Sequence, residues 1–349
     1  MPDPVNPRPG APVTLASIGR AAGVTATTVS LALRNHPRLS RLTVERVQRT
    51  ATRMGYRMNP YVSVLVKARG KRAASGAVIA VVSAHPQPEL WSRNMSPTVQ
   101  EIRSGIREAA VQKGYTAQEF WLHRNNLTPE QFGKMLLVRG IRGLILTGFA
   151  EPEPPNLPWA EFSAVSVGRP IGSLAIPIVS SDYHHASITA MERCYALGYR
   201  RPGFVVERMH GERLQRRWEA GFLSAQHAYP DLARTAPLHL TDWSDGETFA
   251  RWFRKEQPDV ILGHGEMIEP LLLQSLGLRV PDDVGLVSLS CPGMGQRMSG
   301  MYQQGHLVGR SAVDFLVTMM ENNERGIASR DMTLTVTGTW NPGKTLRTR

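Results

Sequence analysis

The apolar positions change their period along the chain, and the changes divide it. Between residues 13 and 56 they fall at helical spacing. Leu15, Ile18, Ala21 and Ala22 follow an i, i+3 pattern behind Thr14, a residue type suited to N-capping. Gly23 breaks that run, Val24 supplies an apolar plug, and Thr25 is placed to cap a second helix reaching Leu33. A third helix, from about Arg41 to Met54, carries Leu42, Val47, Ala51 and Met54, expected to complete a small three-helix core. Asn59 and Pro60 then read as a cap and a first-turn proline. The Val62, Val64 and Val66 that follow lower helix propensity, so this short segment is marginal in isolation.

From Ala77 onward, apolar runs of strand length alternate with amphipathic stretches of helix length. Strands are predicted at 77–84, 117–122, 143–147, 162–167, 176–179, 203–206, 237–240, 260–262 and 284–289. Helices are predicted at 99–114, 129–139, 186–197, 213–228, 246–257 and through 271–276. The theme restarts near Gly203, which implies two doubly wound α/β halves with a cleft between them. The domain reading is a disordered lead-in at 1–12, a helical module at 13–58, a hinge and linker at 59–75, and a core at 76–349.

Charge sharpens this division. Residues 1–75 hold 13 of the 41 Lys and Arg but only two acids, Asp3 and Glu45, so nearly all of the net charge of +12 sits there. A basic module with helical apolar periodicity points to a polyanion partner. Two cysteines, Cys194 and Cys291, are too few for a disulfide framework or a zinc cluster and suit a reducing compartment. The first twelve residues lack an apolar stretch of signal-peptide type, and no run approaches membrane-spanning length. A cytoplasmic, nucleoid-associated protein is expected, with no membrane partner.

Helix, short glycine-containing turn, helix is the helix-turn-helix arrangement, whose second helix enters a DNA major groove. Here Val13-Thr14-Leu15, Ile18, Ala21, Gly23-Val24, Thr28-Val29-Ser30, Leu39-Ser40, Thr43, Val47, Gly55-Tyr56 and Asn59-Pro60 stand at family spacing. Over these residues the chain resembles the DNA-binding headpiece of the lactose/galactose repressor (LacI/GalR) family. The resemblance implies that Ala26, Thr27 and Leu31 face base edges. Thr14, Thr28, Ser30, Ser40 and Asn59 have side chains suited to phosphate contacts. Helix capping is an equally good use of Thr14 and Thr25. Leu31 stands where the family usually has an arginine able to read guanine bidentately, so the operator sequence is open. Arg34, where the family commonly has Asn, is a candidate for a replacement contact. The resemblance further implies that the segment after Pro60 folds against its dimer mate on DNA. Val62 and Val66 would pack between the two helices, and Leu65 would be a wedge in the minor groove. Read from the residues alone, a plain linker is the alternative.

The core is similar to the family's effector domain, which has the periplasmic-binding-protein fold. The similarity implies three crossings between subdomains, placed near Leu197, Tyr302 and Ser329. The N-subdomain is then about 76–197 and 303–329, and the C-subdomain about 198–302 and 330–349. Candidate ligand residues are Ser83 and His85 after the first strand, Asp182 near the hinge, and Arg217. Trp243 in a loop, His264 and Glu266 after the 260–262 strand, and Gln303 at a crossover complete the set. As a helix cap Asp182 would be merely structural. Departures are substantial. Trp218 stands where the family has a ligand-binding arginine, Ser290-Cys291 where sugar regulators have an aspartate, and the 263–267 segment lacks the usual Asn-Asp.

The implied function is a homodimeric regulator, with a tetramer left open, that binds a pseudo-palindromic double-stranded operator. Its small-molecule effector would be a sugar or related metabolite. The alternative is a ligand-unresponsive DNA-binding regulator that keeps the core for dimerisation. An enzyme is not expected. GHGEM at 263–267 lacks the third glycine and the Lys of a phosphate loop, the histidines lack zinc spacing, and no Gly-x-Ser-x-Gly elbow occurs. No catalytic residue, cofactor or metal is assigned.

Overall fold

Thr14 does cap the start of the first helix. In a computed structural model describing residues 13–33, 38–56, 77–84, 96–123, 127–148, 153–327 and 332–347, helix α1 spans Leu15–Ala22. The Ser17 main-chain N–H donates to Thr14 Oγ1 at 3.2 Å and Ser17 Oγ accepts from the Thr14 N–H at 2.9 Å, a reciprocal capping box. Gly23 ends the helix at φ 69°, a left-handed conformation open to glycine without penalty. Gly19 has a different task. A Cβ there would lie 2.6 Å from the Val24 carbonyl oxygen, so only glycine lets the turn fold back onto α1. Helices α2 (Ala26–Ala32) and α3 (Arg41–Arg53) follow, capped by Thr25 and Ser40. Ile18, Ala22, Val29, Ala32, Val47 and Ala51 form the buried core, with Val24 and Met54 packed beside it.

Two apolar positions of the expected pattern turn outward. Leu42 is 78% exposed and Ala21 is exposed. The inward stripe of α3 runs Val44, Val47, Ala51, Met54, and Leu42 lies two residues from Val44, on the far side of the helix.

The remaining described chain builds two sheets. The first uses β1 (Ala77–Ser83), β2 (Tyr115–Trp121), β3 (Gly143–Thr147), β4 (Ser163–Val167), β5 (Ile178–Ser181) and β11 (Thr333–Val336) in the order β11-β5-β4-β3-β1-β2, all parallel. The second uses β6 (Pro202–Glu207), β7 (Leu238–Leu240), β8 (Val260–Gly263), β9 (Gly285–Cys291), β10 (Gly300–Tyr302) and β12 (Thr339–Asn341) in the order β12-β10-β9-β8-β6-β7. Only its β10–β12 pair is antiparallel. Successive residues of one strand serve different cores. Ala80 and Val82 join one cluster and Ile79 and Val81 another, while Phe204 and Val206 oppose Val205 in the same way. Both faces of each sheet are therefore covered, which is why these strands read as unbroken apolar runs.

The covering helices are α4 (Pro97–Gln112), α5 (Pro129–Val138) and α11 (Gly305–Glu321) on the first sheet. On the second they are α6 (Tyr183–Ala196), α7 (Arg208–Arg213), α8 (Arg217–Ala228), α9 (Gly246–Glu256) and α10 (Gly265–Leu276). None among the described residues is long and apolar enough to cross a membrane.

The structure moves two of the three expected crossings. Ala186, Ala190, Met191 and Cys194 of α6 pack with Phe204, Trp218 and Phe222, so the chain leaves the first subdomain at Asp182, not near Leu197. Strand β11 pairs with β5, and β12 with β10, so the last crossing falls at 337–338, not near Ser329. The second lies at 303–304, between β10 and α11. The expected 213–228 helix is broken as well. Gln215 and Arg216 hold φ values of 52° and 53°, a left-handed pair costing about 1–2 kcal/mol per residue, and α8 restarts at Arg217. Burial of Trp218 and Phe222 in the second core offsets that cost.

Candidate nucleic-acid interface and cleft site

On the headpiece, Ala26 and Thr27 open α2 and are exposed, while Leu31, one turn on, is half-buried. Thr28 and Ser30 are also half-buried, and the Thr28 hydroxyl shares a 2.9 Å hydrogen bond with Thr25 Oγ1. Thr14 and Ser40 serve as helix caps, Ser40 Oγ accepting from the Thr43 N–H at 3.3 Å. Arg20, Arg46, Arg49 and Arg53 are exposed, whereas Arg41 pairs with Glu45 at 3.0 Å. Exposed guanidinium groups of this kind can pair with a phosphate backbone. Arg34, Asn59, Val62 and Leu65, and His85 of the core, lie outside the described residues.

In the core, the C-terminal ends of parallel strands face the cleft, where ligands of open α/β sheets bind. On the second subdomain these ends gather rings. His210 comes from α7 after β6, Trp243 from the turn after β7, and His264 from the end of β8. Trp218 at the start of α8 and Tyr183 at the start of α6 complete the group. Ring centroids of His210 and His264 are 4.3 Å apart, edge to face. Trp218 lies 5.2 Å from His210, 5.1 Å from His264 and 5.9 Å from Tyr183, and Trp243 lies 6.0 Å from His264. Burial and the nearby charges of His264 and Arg213 push the His210 imidazole down to about 3, and burial pushes His264 down to about 4. Both rings are therefore neutral near pH 7, each offering one donor and one acceptor.

Three polar atoms of this group have no hydrogen-bond partner among the described residues: Trp218 Nε1, His210 Nε2 and His264 Nδ1. Trp218 is only 3% exposed. A buried donor or acceptor without a partner costs about 1–3 kcal/mol, and the ring group gathers three such atoms, of which Trp218 Nε1 is necessarily a donor.

Of the residues expected here, the structure brings Trp243 and His264 into the ring group. Gln303 lies at the second crossing, 1% exposed; its amide Nε2 donates to the Leu289 carbonyl, its main-chain oxygen accepts from Ser181 Oγ at 3.1 Å, and its Oε1 has no partner among the described residues. Asp182 caps α6, accepting from the His185 N–H at 3.0 Å. The Arg217 guanidinium donates to Gln215 Oε1 at 2.8 Å. Ser83 is buried at the end of β1, and Glu266 is exposed in the first turn of α10.

His210, Tyr183 and Arg169 were not legible as site residues. Arg169 follows β4 on the first subdomain, its carbonyl oxygen accepting from Ser166 Oγ at 2.5 Å. Burial and the charge of Arg213, which ends α7 on the second, hold its guanidinium below the usual arginine range. A signal was present for Trp218 alone, as an aromatic in place of an expected arginine. The two lobes meet through Thr98 Oγ1 and Ser290 Oγ, 3.2 Å apart, and through Tyr302 OH, which donates to Glu101 at 3.0 Å.

Residues 14–59 match the profile of bacterial regulatory proteins of the lacI family, and residues 191–344 match a periplasmic binding protein-like domain. The chain is similar to the HTH-type transcriptional repressor CytR of Escherichia coli K12, with 23% identity over 340 residues covering 91% of this chain and 93% of that protein. Among solved structures, it is similar to the transcriptional regulator CelR in complex with cellobiose, with a TM-score of 0.57, 19% identity, and coverage of 95% of this chain and 99% of that one. The Lac repressor bound to ONPG in its repressed state gives a TM-score of 0.55 at 17% identity, covering 96% of this chain and 100% of that one.

Proposed function

We propose that this chain, which belongs to the LacI family and is a DNA-binding transcription regulator, binds its operator under the control of a small molecule held in the cleft of the core. The observation that carries the ligand-controlled reading is the group of buried rings around Trp218, whose Nε1 has no partner among the described residues. A ligand that packs beside these rings in one lobe and touches the other binds the closed form better than the open one. Only such differential affinity can shift a two-state equilibrium. Closure would then move the first subdomain, which leads through 59–75 to the headpiece, and alter how two headpieces pair on a pseudo-palindromic operator.

Trp218 stands in place of the family's arginine and the usual aspartate and Asn-Asp are absent, so on this reading the effector differs from a sugar read through ionic side chains. A homodimer is the assembly this reading requires, and catalysis has no part in it. A second reading, a regulator without ligand response, is favoured by one feature: His210, His264 and Trp218 pack on one another and so partly fill the space an effector would take.

The test is a thermal-shift screen of small metabolites against the full chain, followed by operator binding with each hit. A compound that raises Tm and changes operator affinity several-fold is the expected outcome. Operator binding that no stabilising compound alters would favour the second reading.

A further inference from the structure

Two side chains of helix α4, Thr98 and Glu101, reach from the first subdomain to the second. They stand three residues apart in the helix and so share a face. Thr98 Oγ1 lies 3.2 Å from Ser290 Oγ, near the cleft-facing end of β9. Glu101 accepts from the Tyr302 hydroxyl, at the end of β10, at 3.0 Å. All four residues are half-buried, so water competes less for these bonds than it does on an open surface. Burial and the Glu101 carboxylate push the Tyr302 phenol up, which keeps it a donor near neutral pH. Sugar regulators have an aspartate after this strand, where the present chain has Ser290-Cys291. Here the hydroxyl at 290 is engaged by the other lobe.

These bonds hold a rigid block. A Cβ at Gly305 would lie 2.5 Å from the Thr98 carbonyl oxygen, and one at Gly105 or Gly309 would overlap a carbonyl oxygen of the facing helix. Helices α4 and α11 therefore pack backbone to backbone and move as one body. Ile106, Ala109 and Ala110 of α4 share a core with Ile79 and Val81 of β1, the strand that residues 59–75 lead into. An opening rotation about the three crossings parts Thr98 from Ser290 and swings Glu101 away from Tyr302.

We propose that Thr98–Ser290 and Glu101–Tyr302 form a latch, needing no ligand, that draws the two subdomains together on this side of the cleft. Its regulatory meaning rests on the reading of lobe closure as the control of operator binding. Apparent affinity falls with the fraction of chain in the competent arrangement, so the latch tightens the hold on a cleft ligand without touching it. Each such hydrogen bond is worth about two- to tenfold in that equilibrium.

The experiment traps the contact in the full chain, without ligand or DNA. Thr98→Cys combined with Ser290→Cys puts two thiols where hydroxyls stand 3.2 Å apart, within reach of a disulfide. Diamide should close it, read by mass spectrometry after alkylation as two thiols lost within one chain. Either substitution alone should lose none, since Cys194 and Cys291 are buried. Adding Tyr302→Phe, which removes a hydroxyl and keeps the ring, should slow closure about two- to tenfold. Glu101→Gln, whose side-chain oxygen still accepts, should slow it less. Unchanged far-UV circular dichroism shows that the slowing is not unfolding.

A pair that stays reduced in the ligand-free chain would overturn the proposal, as would a closure rate that Tyr302→Phe leaves unchanged. The reading of function fails separately. Locking the pair should abolish the effect of a screened metabolite on operator affinity. If the effect survives locking, lobe closure is not the control, while the latch stands. If a metabolite alters operator affinity and the pair never closes, the latch fails alone.

Discussion

Replacing His210 with Phe should flatten the acid side of the stability profile. The imidazoles of His210 and His264 are pushed down to about 3 and about 4, mainly by burial, whereas an unfolded histidine titrates near 6.5. A group whose folded pKa is depressed contributes stability that is present above its unfolded value. That stability is lost as pH falls from there towards the folded value. Between about pH 6 and pH 4.5 the unfolded chain therefore binds nearly one proton per ring that the folded chain refuses. Each such proton gives a slope of about 1.4 kcal/mol per pH unit. From pH 6.5 to pH 5 the loss is about 1.6 kcal/mol for one ring and about 3 kcal/mol for both. Asp242 and Asp245, held low by hydrogen bonds from Ser244 and Thr248, titrate below this window. Phe preserves a ring 5.2 Å from Trp218 but takes up no proton. Urea unfolding followed by tryptophan fluorescence at pH 7, 6 and 5 should show the variant's pH slope reduced by about one proton, with the m-value unchanged. His264→Phe repeats the test from the other ring. Parallel curves for variant and parent would refute the neutral, buried assignment and with it the cleft's uncharged wall.

Further tests address the two halves of the reading. Gly19→Ala would bring a Cβ to 2.6 Å from the Val24 carbonyl, a backbone atom unable to move aside, and should destabilise the headpiece by about 1–3 kcal/mol. Operator affinity should fall while the thermal transition of the core is unchanged; unaltered DNA binding would count against the turn geometry. Trp243→Ala should leave operator binding intact and abolish the response to an effector, and a retained response would remove Trp243 from the site. Leu65→Ala should weaken binding to an operator more than binding to random duplex, measured at matched salt because phosphate contacts dominate both. Equal losses on the two duplexes would argue against a minor-groove wedge.

The sequence by itself determined what is carried by near neighbours. Thr14 and Thr25 announce two helix starts because a cap acts within three residues, and Gly23 marks the left-handed stop that follows the first. The two parallel sheets announce themselves through apolar runs, since a strand buried on both faces has no polar side to display. The basic headpiece is visible because charge sums without regard to fold. Tertiary structure alone decided the rest. Helix 183–196 belongs to the second subdomain and strand 333–336 to the first because of partners far away in sequence, which no periodicity encodes. Leu42 faces outward because the register of α3 is set by the side chains it meets on the other two helices. The break at Gln215–Arg216 violates local backbone preference, so no local signal predicts it; burial of Trp218 holds it in place. The cleft is the extreme case. His210, Trp218, Trp243 and His264 come from four separate loops and helix starts, and their neutral state depends on burial that exists only once the sheet is assembled.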